Sequence, residues 1–284
     1  MNKSIQEDPF FQRILELLLR SKGFDGNHYK INYIKRRIGV RMRATEKENF
    51  SEYFHFLKKE PSEMAKLLDR LTIHVTEFFR DADVFESVSR NVFPQLEGMT
   101  EGKIRVWCAG CSTGEEPYSL AMLFQEWCQK RGRDFMILGT DIDPTSVRNA
   151  ERAEYPVDSV SKLPKDRIAR WFRHEHGQLT IAKEIRQRVQ FRTHDLLGKW
   201  SPSMNDFHMI FCRNMLIYLT GIQQQGIYES FYKSLVPQGF LILGLTETLL
   251  GPSRRFFKCI DIRNRIYRAQ EVTGTIPGSE DKIG

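Results

Sequence analysis

Apolar residues recur at helical spacing through the first quarter of the chain and give way, near residue 100, to short continuous apolar runs. Phe10, Ile14, Leu17 and Leu18 keep a three-to-four-residue period, as do Phe54, Leu57, Leu67, Leu68 and Leu71, which predicts amphipathic helices. Gly23, Gly26 and Pro61 punctuate them. Ile34, Ile38 and Met42 recur every fourth residue and predict one more helix with a single apolar stripe. Beyond residue 100 the runs 103–107, 135–140, 189–193, 207–212 and 240–244 read as strands. Helical patterns fall between them at 115–131, 144–153 and 221–235. Strands alternating with helices predict a parallel, doubly wound sheet. The stretch 171–189 breaks the alternation and reads as a small inserted β-hairpin around His176-Gly177. From Glu271 onward Gly, Thr, Pro, Ser and charges predict a disordered tail, 271–284.

Hydrophobic residues are 40% of the 284, enough for one large core or two smaller ones. No apolar run approaches the ~20 residues of a membrane span, and the polar, acidic first eight residues do not read as a signal peptide. No membrane insertion is expected. The five cysteines (108, 111, 128, 212 and 259) are odd in number and irregularly spaced, which fits a reducing cytoplasm rather than a disulfide framework. Cys108 and Cys111 form C-x-x-C, but without a second pair or a nearby histidine no metal site is expected.

The net charge of +7 implies an acidic partner. The segment 30–43 concentrates it, with Lys30, Lys35, Arg36, Arg37, Arg41 and Arg43 and no acid. Like charges at i,i+4 repel one another. An all-cationic helix face is therefore expected to be a contact surface for something acidic.

The densest chemical signal lies at the first strand-to-helix turn. An apolar segment ends in Ala109-Gly110-Cys111-Ser112-Thr113-Gly114, and Glu115 and Glu116 open the next helix. Such a turn is expected to leave backbone N–H groups for the polar part of a nucleotide-like cofactor. Carboxylates after the loop disfavour a triphosphate and suit an ammonium or a ribose hydroxyl. A cationic nucleoside such as S-adenosylmethionine fits that balance. The second strand ends at Asp141, the position whose carboxylate takes ribose hydroxyls in nucleotide-binding sheets. Asp143 is better placed to cap the helix that starts at Pro144, leaving Asp141 for the ribose.

Four motifs in this order complete the pattern: Thr72-Ile73-His74-Val75-Thr76-Glu77-Phe78-Phe79-Arg80-Asp81, Ser112-Thr113-Gly114-Glu115-Glu116-Pro117-Tyr118-Ser119, Thr140-Asp141-Ile142-Asp143, and Phe211-Cys212-Arg213-Asn214-Met215-Leu216-Ile217-Tyr218. With them the chain resembles the chemotaxis receptor protein-glutamate methyltransferases, the CheR family, over nearly its whole length. The resemblance implies an α/β class I (Rossmann-like) methyltransferase domain with an inserted small antiparallel β-subdomain, preceded by a small all-α domain. It divides the chain into a helical, receptor-recognising domain at 1–75, a linker with cofactor contacts at 76–100, and a methyltransferase domain at 101–270 with its insertion about 171–189.

It also implies methyl transfer from S-adenosylmethionine to glutamate carboxylates of chemoreceptors, yielding methyl esters and S-adenosylhomocysteine. Carried over by position, the cofactor contacts are His74, Thr76, Arg80, Glu116, Asp141, Asp195, Leu196, Asn214 and Met215, with Arg80 and Tyr218 nearest the reacting centre. The family commonly has Asn where His74 stands, and often Asn where Asp195 stands. Arg80 suits a clamp on either the cofactor's or the substrate's carboxylate; on a helix surface it would instead pair with Glu77 or Asp81. Glu116 suits an ammonium or a backbone N–H, and equally the first turn of a helix. Tyr218 offers a hydroxyl donor or ordinary packing.

The partners implied are the cytoplasmic methylation helices of chemoreceptors, met through the basic helix 30–43. The short hairpin turn implies no grip on a receptor's C-terminal peptide. Two other readings are a nucleic-acid methyltransferase of the same fold and a non-catalytic S-adenosylmethionine-binding module. The first lacks the Asn/Asp-Pro-Pro-aromatic motif, since Arg213-Asn214-Met215-Leu216 stands at that position. No nucleic-acid partner is therefore expected. The second is disfavoured by the presence of Arg80, Tyr218 and every acidic position.

Overall fold

A computed structural model describes residues 8–71, 76–175, 177–201, 203–249 and 251–272. His74, His176 and the tail from 273 lie outside the described residues. The chain divides into two compact units, residues 1–76 with 215–224, and residues 77–214 with 225–284.

The first unit holds α1 (Pro9–Lys22), α2 (Ile31–Ala44), α3 (Phe50–Lys59) and α4 (Pro61–Leu71). Local chemistry sets their ends. Asp8 accepts from the N–H groups of Phe10 and Phe11, and Gly23 closes α1 at φ 69°. Asn49 accepts from the Glu52 N–H at the start of α3. Ile34 and Ile38 of the expected stripe are buried with Phe11, Ile14, Tyr53 and Leu67, each side chain contributing about 1.5–3 kcal/mol by leaving water. Residues 215–224 join this unit from far along the sequence. Leu219 bridges Tyr29 in antiparallel fashion. The Lys30 N–H donates to the Tyr218 carbonyl at 2.9 Å, and the Thr220 N–H to the His28 carbonyl at 3.0 Å.

The second unit opens with α5 (Ala82–Ser87) and α6 (Phe93–Leu96), separated by a π-helical turn. Then follow β1 (Ile104–Ala109), α7 (Glu115–Gln129), β2 (Phe135–Asp141), α8 (Pro144–Arg152), β3 (Glu154–Tyr155), α9 (Lys165–Trp171), β4 (Phe172–Glu175), β5 (Gln178–Ile181), α10 (Lys183–Arg186), β6 (Val189–Thr193) and β7 (Phe207–Cys212). Next is α11 (Gly221–Ser234), whose first residues belong to the first unit, and then β8 (Leu235–Leu243), β9 (Phe257–Asp261) and β10 (Ile266–Ala269).

The main sheet has seven strands in the order β6-β2-β1-β7-β8-β10-β9. The first five run parallel, and β10 and β9 add an antiparallel hairpin. The sheet is therefore mixed rather than wholly parallel. The reason is local: the Asp261 carboxylate accepts from the N–H groups of Arg263 and Asn264 and folds β9 back onto β10. All six residues of β7 are buried, as expected for a strand covered on both faces. The inserted element is a three-stranded antiparallel sheet, β3-β5-β4, because Glu154–Tyr155 pairs with the expected hairpin. Phe78 packs edge-on against Tyr155 and Phe172, at 4.8 and 5.2 Å between ring centroids.

His208 on β7 accepts from the Arg105 N–H through Nδ1 at 3.1 Å. Burial holds its pKa below the ordinary value, and His194 is lowered for the same reason. Both favour the neutral form when folded. Their contribution is complete above the unfolded value of about 6.5 and is lost as pH falls through the lower folded values. The melting temperature should drop between about pH 7 and pH 5, and His208→Gln with His194→Gln should flatten that slope. A pH series of thermal melts checks this.

Candidate active site

Because β6, β2, β1 and β7 are parallel neighbours, their carboxyl ends share one edge, the usual ligand crevice of an open α/β sheet. Asp141 closes β2, Asp195 and Leu196 follow β6, Asn214 follows β7, and Glu116 lies in the first turn of α7 after β1. The sheet thus gathers these five from separate parts of the sequence.

The loop after β1 uses its backbone differently from expectation. The N–H groups of Gly110 and Cys111 both donate to the Thr140 carbonyl, at 2.8 and 2.9 Å, and that of Gly114 donates to the Cys111 carbonyl at 3.1 Å. The Ser112 N–H donates to Asp141 at 2.8 Å. The loop folds back across the end of β2, so the N–H groups of Gly110, Cys111 and Ser112 bind the sheet and that of Gly114 closes the loop on itself. One polar group of this loop is left unpartnered: Ser112 Oγ is buried with no hydrogen bond. Ser112 itself is left-handed at φ 49°. Gly114 has φ 97°, and a Cβ there would meet Ala150 Cβ at 2.9 Å and the Tyr155 hydroxyl at 3.0 Å. Glycine is required on both counts.

Asp143 caps α8, accepting from the N–H groups of Thr145 and Ser146 at 3.0 and 2.9 Å. Asp141 is not part of that cap. Its two oxygens accept from the N–H groups of Ser112 and Asp143, which fixes the carboxylate at the strand end while leaving further lone pairs.

Arg213, directly after β7, was not singled out from the sequence. Its side chain is 1% exposed. It donates to the Glu116 carboxylate at 2.9 Å and to the Arg80 carbonyl at 3.0 Å, and it pairs with Asp81. Glu116 also accepts from the Cys108 thiol at 3.0 Å. The thiol's pKa is pushed well up by burial, with the Glu116 charge adding to the effect, so it stays a donor. Glu116 is thus held by a guanidinium on one oxygen and a thiol on the other, and each oxygen keeps a further lone pair for the ammonium or N–H expected for it.

Of the two acids beside Arg80 in sequence, Glu77 meets Lys162 and Asp81 meets Arg213. Phe79 and Asp81 on either side of Arg80 both have positive φ, 51° and 58°. Each such residue costs on the order of 1–2 kcal/mol. The strain is held by Arg213 and by a bond from the Phe79 N–H to Ser119 Oγ at 2.9 Å.

Glu247 was also missed. It is 3% exposed. One oxygen accepts from the N–H groups of Asn214 at 3.0 Å and Gly244 at 2.7 Å. It ties the ends of β7 and β8 together and fixes Asn214 at φ 61°. An acid four residues after a strand is the sequence signal it gives.

Thr76, Met215 and Tyr218 belong to the first unit. Met215 precedes a 3-10 turn, Leu216–Tyr218. Tyr218 packs on the helical core with its ring 4.6 Å from that of Tyr33. Burial pushes the Tyr33 phenol up to about 12, and its hydroxyl donates to the Leu71 carbonyl. On α2, Arg41 is not a spare cation. It pairs with the buried Glu63 of α4 at 2.7 Å, and Tyr53 donates to the same carboxylate at 2.9 Å. Lys30, Arg36 and Arg43 are exposed.

Residues 74–266 match the family model described as "CheR methyltransferase, SAM binding domain", and residues 9–72 match "CheR methyltransferase, all-alpha domain". A chemotaxis protein methyltransferase of Listeria monocytogenes is 34% identical, covering 86% of this chain and 90% of its own length. The chemotaxis protein methyltransferase of Escherichia coli is 29% identical, covering 88% and 87%. An uncharacterized 104.1 kDa protein of Rhodobacter capsulatus is 32% identical over 96% of this chain, which spans only 29% of that protein.

The residues at the crevice fit the cofactor. Ser112 Oγ is an orphaned buried hydroxyl, Asp141 is a fixed carboxylate for hydroxyl donors, and Glu115, Glu116 and Asp141 make the edge unsuited to phosphate. Two matched domains in order, a sheet edge suited to a cationic nucleoside and curated relatives matched over most of their length converge: the chain belongs to the CheR family of S-adenosylmethionine-dependent methyltransferases.

Proposed function

We propose that the chain transfers the methyl group of S-adenosylmethionine to glutamate side-chain carboxylates of chemoreceptor helices, giving glutamate methyl esters. The observation that carries the reading is the buried Arg213 clamp, which holds the strained Arg80 segment and Glu116 against the carboxyl end of β7. It is supported by the names of the curated relatives, which are chemotaxis protein methyltransferases.

S-adenosylmethionine supplies an electrophilic methyl group on a sulfonium. A glutamate carboxylate, with an ordinary pKa near ~4.3, is already ionised and needs no general base. The residues' work is then orientation and exclusion of water, worth up to about 7–11 kcal/mol in favourable cases. In this reading Asp141 accepts the ribose hydroxyls and Ser112 Oγ joins it. Asp195, Leu196, Asn214 and Met215 complete the cofactor's contacts, with His74 and Thr76. Arg80 holds a carboxylate, and Tyr218 keeps the role that the resemblance gives it at the reacting centre.

The exposed cations of α2 recognise the glutamate-bearing helices by charge and set which glutamate is presented. Arg41 is excluded from that role by Glu63. Arg36→Glu with Arg43→Glu should therefore reduce receptor methylation about tenfold or more, while the affinity for S-adenosylmethionine stays unchanged. Equal methylation by wild type and double variant removes the recognition helix.

The reaction itself is tested with radiolabelled S-adenosylmethionine and chemoreceptor membranes, followed by mild alkali. Label on the receptor that leaves as methanol is a carboxyl methyl ester. Alkali-stable label on RNA, with an unlabelled receptor, would overturn the substrate.

A further inference from the structure

One edge of the main sheet takes no part in this reading. β6 is a terminal strand, paired only with β2 among the described residues. The Ile137 N–H donates to the Arg188 carbonyl and the His194 N–H to the Asp141 carbonyl. Backbone groups alternate sides along a strand, so residues 188, 190, 192 and 194 face β2. The N–H and C=O groups of Val189, Phe191 and Thr193 therefore face outward. A cavity of about 640 Å³ runs along this edge, lined among others by Lys183, Arg186, Arg192, Glu151, Tyr118 and Phe191. The three cations are exposed, and no ion pair engages them among the described residues. Against them stands one acid, Glu151. The Tyr118 and Phe191 rings meet edge-on at 5.5 Å and give the cavity an apolar floor.

We propose that the free edge of β6 docks an extended, acidic peptide segment of a partner protein, which adds to the sheet as an eighth strand. Each element of that chemistry has a counterpart here. Outward N–H and C=O groups give main-chain pairing, the rings receive an apolar side chain, and Lys183, Arg186 and Arg192 receive carboxylates. The five-residue strand spans about 17 Å, long enough for several paired residues. Charged residues also guard free edges against unwanted pairing. A guard repels strands in general, whereas this edge selects by charge.

The test uses the full chain and a fluorescein-labelled peptide alternating Glu and Val, followed by fluorescence anisotropy at physiological salt. The same peptide N-methylated at alternate residues has lost half its amide donors but none of its charge. Saturable binding is expected, weakened about tenfold or more both by N-methylation and by Arg186→Glu with Arg192→Glu. On saturation, amide hydrogen exchange should slow at 189–193. Arg186→Gln with Arg192→Gln, which adds no new charge, should show an intermediate loss and guards against misfolding of the reversed variant. Binding indifferent to N-methylation, protection elsewhere in the chain, tighter binding of single-stranded DNA than of the peptide, or no binding at millimolar peptide would each overturn the proposal.

Discussion

Arg213→Ala is expected to lower the stability of the chain by about 3 kcal/mol and to weaken S-adenosylmethionine binding by roughly 10- to 100-fold. Removing one partner of a buried ion pair leaves the other charge uncompensated, which is why the loss exceeds that of a surface pair. Here the guanidinium is 1% exposed while its partners Asp81 and Glu116 are 31% and 14% exposed, which places the effect at the lower end of the range for buried pairs. The loss would appear as a fall in melting temperature of roughly 6–12 °C for a chain of this size.

The affinity loss has a separate origin. Without the guanidinium the Arg80 carbonyl, Asp81 and Glu116 lose a common donor, and the left-handed Phe79 and Asp81 are free to relax. Arg213→Lys should recover part of the stability but little of the affinity, because an ammonium cannot span three acceptors in the guanidinium's fork. Thermal melts and calorimetric titration of both variants check this. A wild-type melting temperature and affinity in Arg213→Ala would show that the cluster positions nothing.

Gly244→Ala should be nearly as damaging, through sterics rather than charge. The added methyl group would lie 2.7 Å from the Asn214 backbone nitrogen, 2.8 Å from Glu247 Oε2 and 2.9 Å from Asn214 Nδ2. A backbone nitrogen has no rotamer to escape into, so the segment after β7 must move. Its movement breaks the pair of bonds that Glu247 accepts from Asn214 and Gly244. Each polar group left buried and unsatisfied costs about 1–3 kcal/mol, so the variant should lose about 2–5 kcal/mol in all. It should also bind S-adenosylmethionine more weakly, because Asn214 is displaced. Glu247→Gln isolates the second component. It keeps one acceptor oxygen, and it should destabilise less than Gly244→Ala while shifting affinity in the same direction. If Gly244→Ala melts and binds as wild type does, the junction of β7 and β8 is not what holds Asn214.

Much of this arrangement was legible in the order of apolar runs. The strands at 189–193 and 207–212 and the helix starts at 115, 144 and 221 follow from continuous apolar stretches and from cap residues such as Asp143. Asp141 could be placed because a strand end followed by an independent cap leaves one acid over. What escaped depends on contacts between distant segments. Arg213 sat inside a recognised motif, yet its importance comes from Asp81 and Glu116, 132 and 97 residues away. Glu247 reads in sequence like any polar residue after a strand. Arg41 looked like one of six cations on a contact face because its partner Glu63 lies on another helix. The hairpin β9–β10 and the two-residue β3 were missed because short strands carry too little periodicity to separate them from loops.

The strap of residues 215–224 has a consequence for biosynthesis. Lys30 meets the Ile217 carbonyl at a sequence separation of 187 residues. At a ribosomal rate of 5–20 residues per second, that separation is a delay of roughly 10–40 s. Throughout that interval the four N-terminal helices have been made, but Leu219 and Tyr218, which cover Tyr29 and Tyr33, have not. The four helices therefore emerge before the segment that completes their unit, and the nascent chain must keep part of its apolar surface uncovered until residues 215–224 have been made.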